Sequence, residues 1–346
     1  MQSLFLFADL PHELNTSYWR CFIPAQRLKD AGHQTWDAHL SEALAERPND
    51  LVQSYLDQAE VIVVERVFID HLRKHIDSWH RQGKKVVGTF DDAYHLINPH
   101  KDSGQFWRGK KRNQGTGNFK EFRGSLKFFD RIIVPSKVLM QDYEPYCQDI
   151  QYVPNFTMPE LWKDIKKRPP DNQIVIGWGG SSGHIKSWME SGIIPALSKL
   201  SASHSNLRVS IYGGGIEIPD LLKKAKIRCE FHGWTEFTDW PQKVASFDIG
   251  LAVLAGEYDR RRSNAKVLEY SMAKVPWVAT DSEPYQGIES QAGLLVKNKP
   301  HEWSMAIDTL IRNEEIRTRN VESAYGWALA HTEKCVPAYE QALGVW

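Results

Sequence analysis

The sequence predicts an α/β protein made of two parallel-sheet domains, and three observations lead there. Short runs rich in Val and Ile recur along all 346 residues, continuous rather than alternating, as strands covered on both faces require. Segments long enough for helices lie between them, and this alternation implies crossover connections between parallel strands. The strand set divides at a polar stretch, 154–172, that contains KDIKKRPPDN; two prolines after a basic run read as a linker.

In chain order the expected strands of the first half are 4–8, 61–65, 85–90, 131–135 and 150–154. Those of the second half are 174–178, 207–212, 227–232, 249–253, 277–279 and 293–296. Helices are expected at 22–31, 69–82, 137–145, 188–204 and 265–274, and again at 302–312, 314–331 and 332–343. The domains then run 1–157 and 158–325, each on a Rossmann-like plan, with 326–346 a C-terminal helix returning to the first.

Composition narrows the class. With 42% hydrophobic and 25% charged residues the chain is ordinary globular material, so disordered and fibrous classes fall away. The formal charge is zero, which leaves no global field to draw it to nucleic acid or membrane. Its four cysteines, Cys21, Cys147, Cys229 and Cys335, are far apart and form no CxxC pair, so neither a structural zinc site nor a dense disulfide framework is expected. The opening MQSLFLFADL reads as a buried first strand, not a signal peptide, and no run approaches the ~18 apolar residues of a spanning helix. The expectation is a soluble, reduced, cytoplasmic protein, with peripheral membrane contact left open.

Candidate chemistry gathers at the ends of strands in the second half. IVIGWGGSSGH (174–184) runs from a strand into a Gly-rich turn, where Gly179 and Gly180 permit close approach of a ligand. Ser181 and Ser182 offer hydroxyls there, and His184 or Lys186 offers charge. A second turn, with Gly213 and Gly214, follows the next strand, and a third, with Gly233 and Trp234, follows the one after. Ligands of open parallel sheets bind beyond the carboxyl ends of strands, so three such turns would line one crevice. Trp234 would present a flat face to a base, or would be a core aromatic at a strand end. The segment EYDRRRSNAKVLEY (257–270) leads into a helix capped by Ser263 or Asn264. Lys266 in its first turn opposes the helix dipole unless an anion sits there, and Glu269 follows one turn on. The alternative is a weak surface pair of Lys266 with Glu269.

The first half contributes VVGTFDDAYH (86–95), in which Asp91 ends a buried strand. Asp91 would orient an acceptor hydroxyl or stabilise positive charge at a reacting carbon, with Asp92 and His95 on the same side, or the acidic pair is a helix cap and loop pair; His12 would face the same side but reads more readily as a surface histidine. Adjacent carboxylates also raise a metal site, but one such pair without further ligands does not define one. The stretch 101–131 carries nine Lys or Arg against three Asp or Glu, interleaved with glycines and aromatics. Lys110, Lys111 and Arg112 would meet an anionic acceptor, a nucleic acid included, or the stretch is a solvated loop.

Taken in order, IGWGGSSGH, VSIYGGG, FHGW and SNAKVLEYSMAKVPWVATDSEPY resemble family four of the glycosyltransferases, which has the GT-B fold. QRLKDAGHQTW, DRIIVPSK and VPNF extend the likeness into the first half. The resemblance implies a nucleotide sugar, most simply a UDP-sugar as co-substrate, held on the second domain, and an acceptor facing the first. It also implies transfer of a hexose with retention and without an essential metal or other cofactor. Glu269 matches the glutamate that holds the donor ribose. Gly179–Ser182 and the amides around Asn264, Ala265 and Lys266 match regions near the diphosphate and sugar, and Gly233 and Trp234 match the turn that receives the base. Lys266 and Asp91 are the catalytic candidates. The family's other glutamate, eight positions before Glu269, is replaced by Arg261, so the usual sugar contact is absent. Two alternatives stay open: a non-catalytic nucleotide-sugar-binding protein of the same shape, and a dinucleotide-dependent oxidoreductase, which the lack of GxGxxG followed by a strand-end acid disfavours.

Overall fold

The computed structural model describes residues 1–9, 16–66, 70–96, 124–169, 171–214, 216–288 and 290–344. The chain divides into two compact units: Met1–Phe156 with Arg261–Ser263 and Lys334–Trp346, and Thr157–Arg260 with Asn264–Glu333.

The first unit is a six-stranded parallel sheet in the order β2-β1-β3-β4-β5-β6. Its strands are β1 (Gln2–Phe7), β2 (Gln34–His39), β3 (Val61–Glu65), β4 (Lys85–Thr89), β5 (Arg131–Val134) and β6 (Ile150–Tyr152). Its helices are α1 (Ile23–Asp30), α2 (Leu40–Ala43), α3 (Asp50–Gln58), α4 (Asp70–Arg81), α5 (Lys137–Tyr143) and, from the far end of the chain, α14 (Cys335–Gly344). The central strands β1 and β3 are apolar on both faces and almost wholly buried, as the continuous runs require. β2 was not expected from sequence. It is an edge strand, QTWDAH, in which only Thr35 and Ala38 are buried and polar residues interrupt the apolar ones, so no continuous run marks it. Helix α14 returns to this unit and packs on α1: Tyr339 is fully buried with its ring 6.2 Å from that of Phe5, and Arg131 donates to the Ala342 carbonyl at 2.7 Å.

The second unit repeats the plan with strands β7 (Ile174–Gly180), β8 (Leu207–Gly213), β9 (Cys229–His232), β10 (Ile249–Ala252), β11 (Trp277–Thr280) and β12 (Leu294–Val296). All neighbours are parallel, in the order β12-β11-β10-β7-β8-β9. Its helices are α6 (Ile185–Glu190), α7 (Ile193–Ser203), α8 (Glu217–Lys224), α9 (Trp240–Val244), α10 (Gly256–Asp259), α11 (Ala265–Met272), α12 (Pro300–Arg312) and α13 (Glu314–Glu333). The single helix expected over 188–204 is two, α6 and α7. Gly192 between them takes a left-handed φ of 80°, and a Cβ there would press on Pro300. Trp178, Trp188 and Trp303 fill the core on this side of the sheet, each fully buried. No helix among the described residues is long and apolar enough to cross a membrane.

On β7 the lack of side chains is a packing requirement. A methyl at Gly177 would overlap the Phe247 ring, and one at Gly179 would overlap the Trp240 ring. Gly177→Ala is expected to lower unfolding free energy by about 1–3 kcal/mol, the range for overfilling a packed core. Denaturant titration checks this, and an unchanged midpoint would mean that Phe247 is free to move aside.

Candidate functional site

In each unit the strand order reverses direction once, and ligands of such sheets bind outside the carboxyl ends of the strands at that point. In the second unit the reversal falls between β7 and β10, neighbours in the sheet whose following connections run in opposite directions. The turn after β7 carries Gly179–His184, and the connection after β10 leads through α10 to α11.

The three glycine turns come together through backbone bonds between adjacent strand ends. Gly214 N–H donates to the Gly180 carbonyl at 3.1 Å, and Gly213 N–H donates to the Gly233 carbonyl at 3.2 Å. Gly213 has φ 109° and lies so close to the Gly180 carbonyl that no side chain would fit. Gly214 and Gly233 face open space. Trp234 is 47% exposed, so it is not a core aromatic. At the ends of β8 and β9, Tyr212 stacks on His232 at 4.3 Å and meets Trp240 edge-on at 5.7 Å. Ser181 and Ser182 are exposed at the start of a short turn of 3₁₀ helix. His184 lies elsewhere than expected: it is 5% exposed, with its ring edge-on to Trp178 at 5.5 Å, so it belongs to the packing beneath the turn.

Lys266 stands in the first turn of α11. Its ammonium donates to the Gly179 carbonyl and lies 5.0 Å from the centre of the Trp178 ring. Ala265 is half-buried beside it. Asn264 precedes the helix, but its side chain makes no cap bond; its Nδ2 lies 3.3 Å from His331 Nε2 instead. The expectation that Asn264 or Ser263 caps α11 through its side chain is therefore corrected. One turn on, burial pushes the Glu269 carboxyl up to about 7, against the opposing pull of the Lys266 charge and a hydrogen bond from the Trp240 side chain. Lys266 and Glu269 are thus a partly buried pair at a strand end, not the weak surface pair of the alternative reading.

The remaining candidates lie in the first unit. Asp91, just past β4, accepts from Thr16 Oγ1 at 2.9 Å and from the Tyr94 hydroxyl. The Asp92 carbonyl accepts from the Tyr143 hydroxyl at 2.8 Å, and its carboxylate is 3.8 Å from Arg262 Nη1. Arg261, a donor-side candidate at the position of the family's other glutamate, belongs to this unit and forms a two-pronged pair with Asp142 on α5, the second contact at 3.2 Å. His95 meets the same Asp142 at 3.1 Å. Ser263 accepts from Asn155 Nδ2 at 3.0 Å. A planar guanidinium finds its best partner in a carboxylate, which is why Arg261 is engaged here. His12, Lys110, Lys111 and Arg112 lie outside the described residues.

Sequence reading passed over a cluster at the reversal point of this sheet, between β1 and β3. Glu65 is fully buried and accepts from Ala8 N–H at 2.9 Å and from the Ser17 hydroxyl. Arg66 pairs with Glu65 at 2.9 Å and also with Asp9, while Asp9 exchanges two bonds with Ser17. Arg66 holds a left-handed φ of 48°, unusual for a residue with a side chain. A charged pair, Glu-Arg, ending the apolar run VIVVER was the only available signal.

Burial, the largest influence, drives the Glu65 carboxyl up to about 7, with Arg66 acting against it. An acid whose folded pKa exceeds its unfolded value near 4.5 binds its proton more tightly when folded, so stability falls as pH rises from about 4.5 to 7. Glu65→Gln is expected to flatten that slope by up to roughly 3 kcal/mol. Denaturant titrations at pH 5 and pH 8 read the effect, and an unaltered slope would place the titration on other groups.

Comparison with known proteins agrees with this geometry. Residues 190–313 match the family model described as Glycosyl transferases group 1. No curated protein matches the chain in sequence. Among solved structures, HepE of Anabaena in complex with UDP and glucose superposes with a TM-score of 0.64 at 13% identity, covering 99% of this chain and 98% of its own. Sucrose-phosphate synthase of Thermosynechococcus elongatus gives 0.64 at 14% identity, covering 99% and 98%. TarM of S. aureus gives 0.59 at 13% identity over 84% of this chain, which spans only 56% of TarM. Both units have the Rossmann-like form that these GT-B glycosyltransferases share, so the GT-B fold is the fold of this chain. Within that fold, its second unit carries the group 1 glycosyl transferase segment.

Proposed function

We propose that the chain transfers a hexose from a UDP-sugar to an acceptor hydroxyl, with retention at the anomeric carbon and without an essential metal. The observation that carries this reading is Lys266 at the start of α11, joined to the Gly179 carbonyl at the end of β7, with Glu269 one turn on. A diphosphate brought to this helix start would meet backbone amides, the positive end of the dipole and a cation already in position. Charge that builds on the leaving diphosphate would be stabilised where it develops. Ionised Glu269 would accept from the ribose hydroxyls. The exposed Trp234 beside open Gly233 and Gly214 would take the base. HepE, which binds UDP and glucose, makes UDP-glucose the first donor to try.

In the first unit Asp91, oriented by Thr16 and Tyr94, is the group proposed to hold the acceptor hydroxyl. Asp92 and His95 stand close to it in sequence and share Tyr143 as a neighbour. The basic stretch 101–131 favours an anionic acceptor such as a phosphorylated glycan, a lipid-linked phosphate or a nucleic acid, met in the cytoplasm. Arg261 replaces the acid that ordinarily contacts the sugar, so sugar selection would rest on other groups.

Lys266→Ala is expected to slow UDP release from UDP-glucose in cell extract on the order of 100-fold, with a smaller change in donor affinity. Equal rates in the two proteins would remove Lys266 from the leaving-group role.

A further inference from the structure

A cavity of about 650 Å³ opens in the second unit at the end of its sheet opposite the glycine turns. Gln173, Asp248 and Pro276 in its wall immediately precede β7, β10 and β11, so it lies at the amino ends of those strands. The volume is that of a small-molecule site.

Four cations line this cavity, and they divide into two kinds. Arg168 is neutralised: it donates to Asp248 at 2.6 Å and pairs with Asp171. Lys167, Lys274 and Arg317 are held by neutral partners. Lys167 donates to the Lys274 carbonyl at 2.8 Å, the Lys274 ammonium stands 4.4 Å from the centre of the Tyr325 ring, and Arg317 donates to the Leu310 carbonyl at 2.7 Å at the end of α12. Among the described residues no carboxylate lies within ion-pair distance of any of the three.

The environment of Lys167 shows what this arrangement lacks. Partial desolvation holds its ammonium down to about 8, and the like charge of Lys274 adds to that, with Asp248 acting against both. An anion in the cavity would relieve that strain. Lys274 also adopts a left-handed φ of 54° just past α11, at a position that glycine usually takes. Pro276, Val321 and the edge of Phe247 supply an apolar wall, while Glu322 offers an acceptor for hydroxyls.

We propose that this cavity is a second ligand site, for a small phosphorylated sugar or polyol whose phosphate is held by Lys167, Lys274 and Arg317. Three cations lining one cavity fit a dianionic phosphate monoester, and the remaining space and the mixed wall fit a sugar-sized body. The site is separate from the donor turns and does not depend on what those turns bind.

Calorimetric titration of the full chain with glucose 6-phosphate, with UDP saturating the donor turns, tests this, and hydrogen exchange locates the ligand. The expected result is saturable binding at one site, weakened at least tenfold by Lys167→Gln and by Lys274→Gln and unchanged by Lys266→Ala. Glucose alone should not bind, and protection should appear at 171–173 and 317–322. Lys167 is only partly withdrawn from solvent, so its variant remains informative if Lys274→Gln fails to fold, and circular dichroism melts identify that case. No saturable binding, or binding that Lys167→Gln leaves intact, or protection confined to 179–184, would overturn the proposal.

Discussion

Lys266 reaches back from the first turn of α11 to the carbonyl of Gly179, and the candidate site of the second unit depends on that bond. A cation at a helix start opposes the dipole at a cost of about 0.3–1 kcal/mol. Here the carbonyl and the face of Trp178 offset the cost. The bond is possible only because β7 carries no side chains where α11, Trp240 and Phe247 close in on it. The glycines that look like ligand-binding residues are thus partly packing residues. Gly177 and Gly179 make room for rings, and Gly213 makes room for a neighbouring carbonyl. Gly214 and Gly233, by contrast, leave open space that a ligand could use.

The two units place charge at the same relative position in different ways. At the reversal point of its sheet, the second unit has one lysine and one acid whose proton affinity burial raises. At its own reversal point the first unit has Asp9, Ser17, Glu65 and Arg66, a network in which a fully buried carboxylate is held by an arginine, a hydroxyl and an amide. A network of this kind is costly unless its members are satisfied; it joins the ends of β1 and β3, and the Arg66 N–H donates to the Thr89 carbonyl at the end of β4, two residues before Asp91. Both carboxyls titrate near neutrality for the same reason, which is desolvation outweighing a nearby cation.

Much of this was legible in the sequence, and the exceptions have physical causes. Buried parallel strands announce themselves through continuous Val and Ile, so β3 was placed to the residue. The edge strand β2 was missed because only two of its six residues, Thr35 and Ala38, are buried, so it carries no continuous apolar run. A continuous helix over 188–204 was expected from its length, but Gly192 takes a left-handed φ and turns the chain there. The glycine turns were visible because only glycine tolerates such close approach. Partners distant in the chain were not visible: nothing in the local sequence links Arg261 to Asp142, Lys266 to Gly179, or Glu65 to Ser17. His184 looked like a ligand because it follows a Gly-rich turn, yet it packs beneath that turn.

The account stands or falls on Glu269 and the helix start it belongs to, and equilibrium titration with UDP-glucose tests this most directly. The measurement is made without metal, at pH 8, where Glu269 would be mostly ionised, on the native chain and on Glu269→Ala. The account predicts saturable binding at one site, weakened by about 1–3 kcal/mol in the variant, the scale of a charged hydrogen bond lost. No binding to the native chain, or equal affinity in the two proteins, would contradict it.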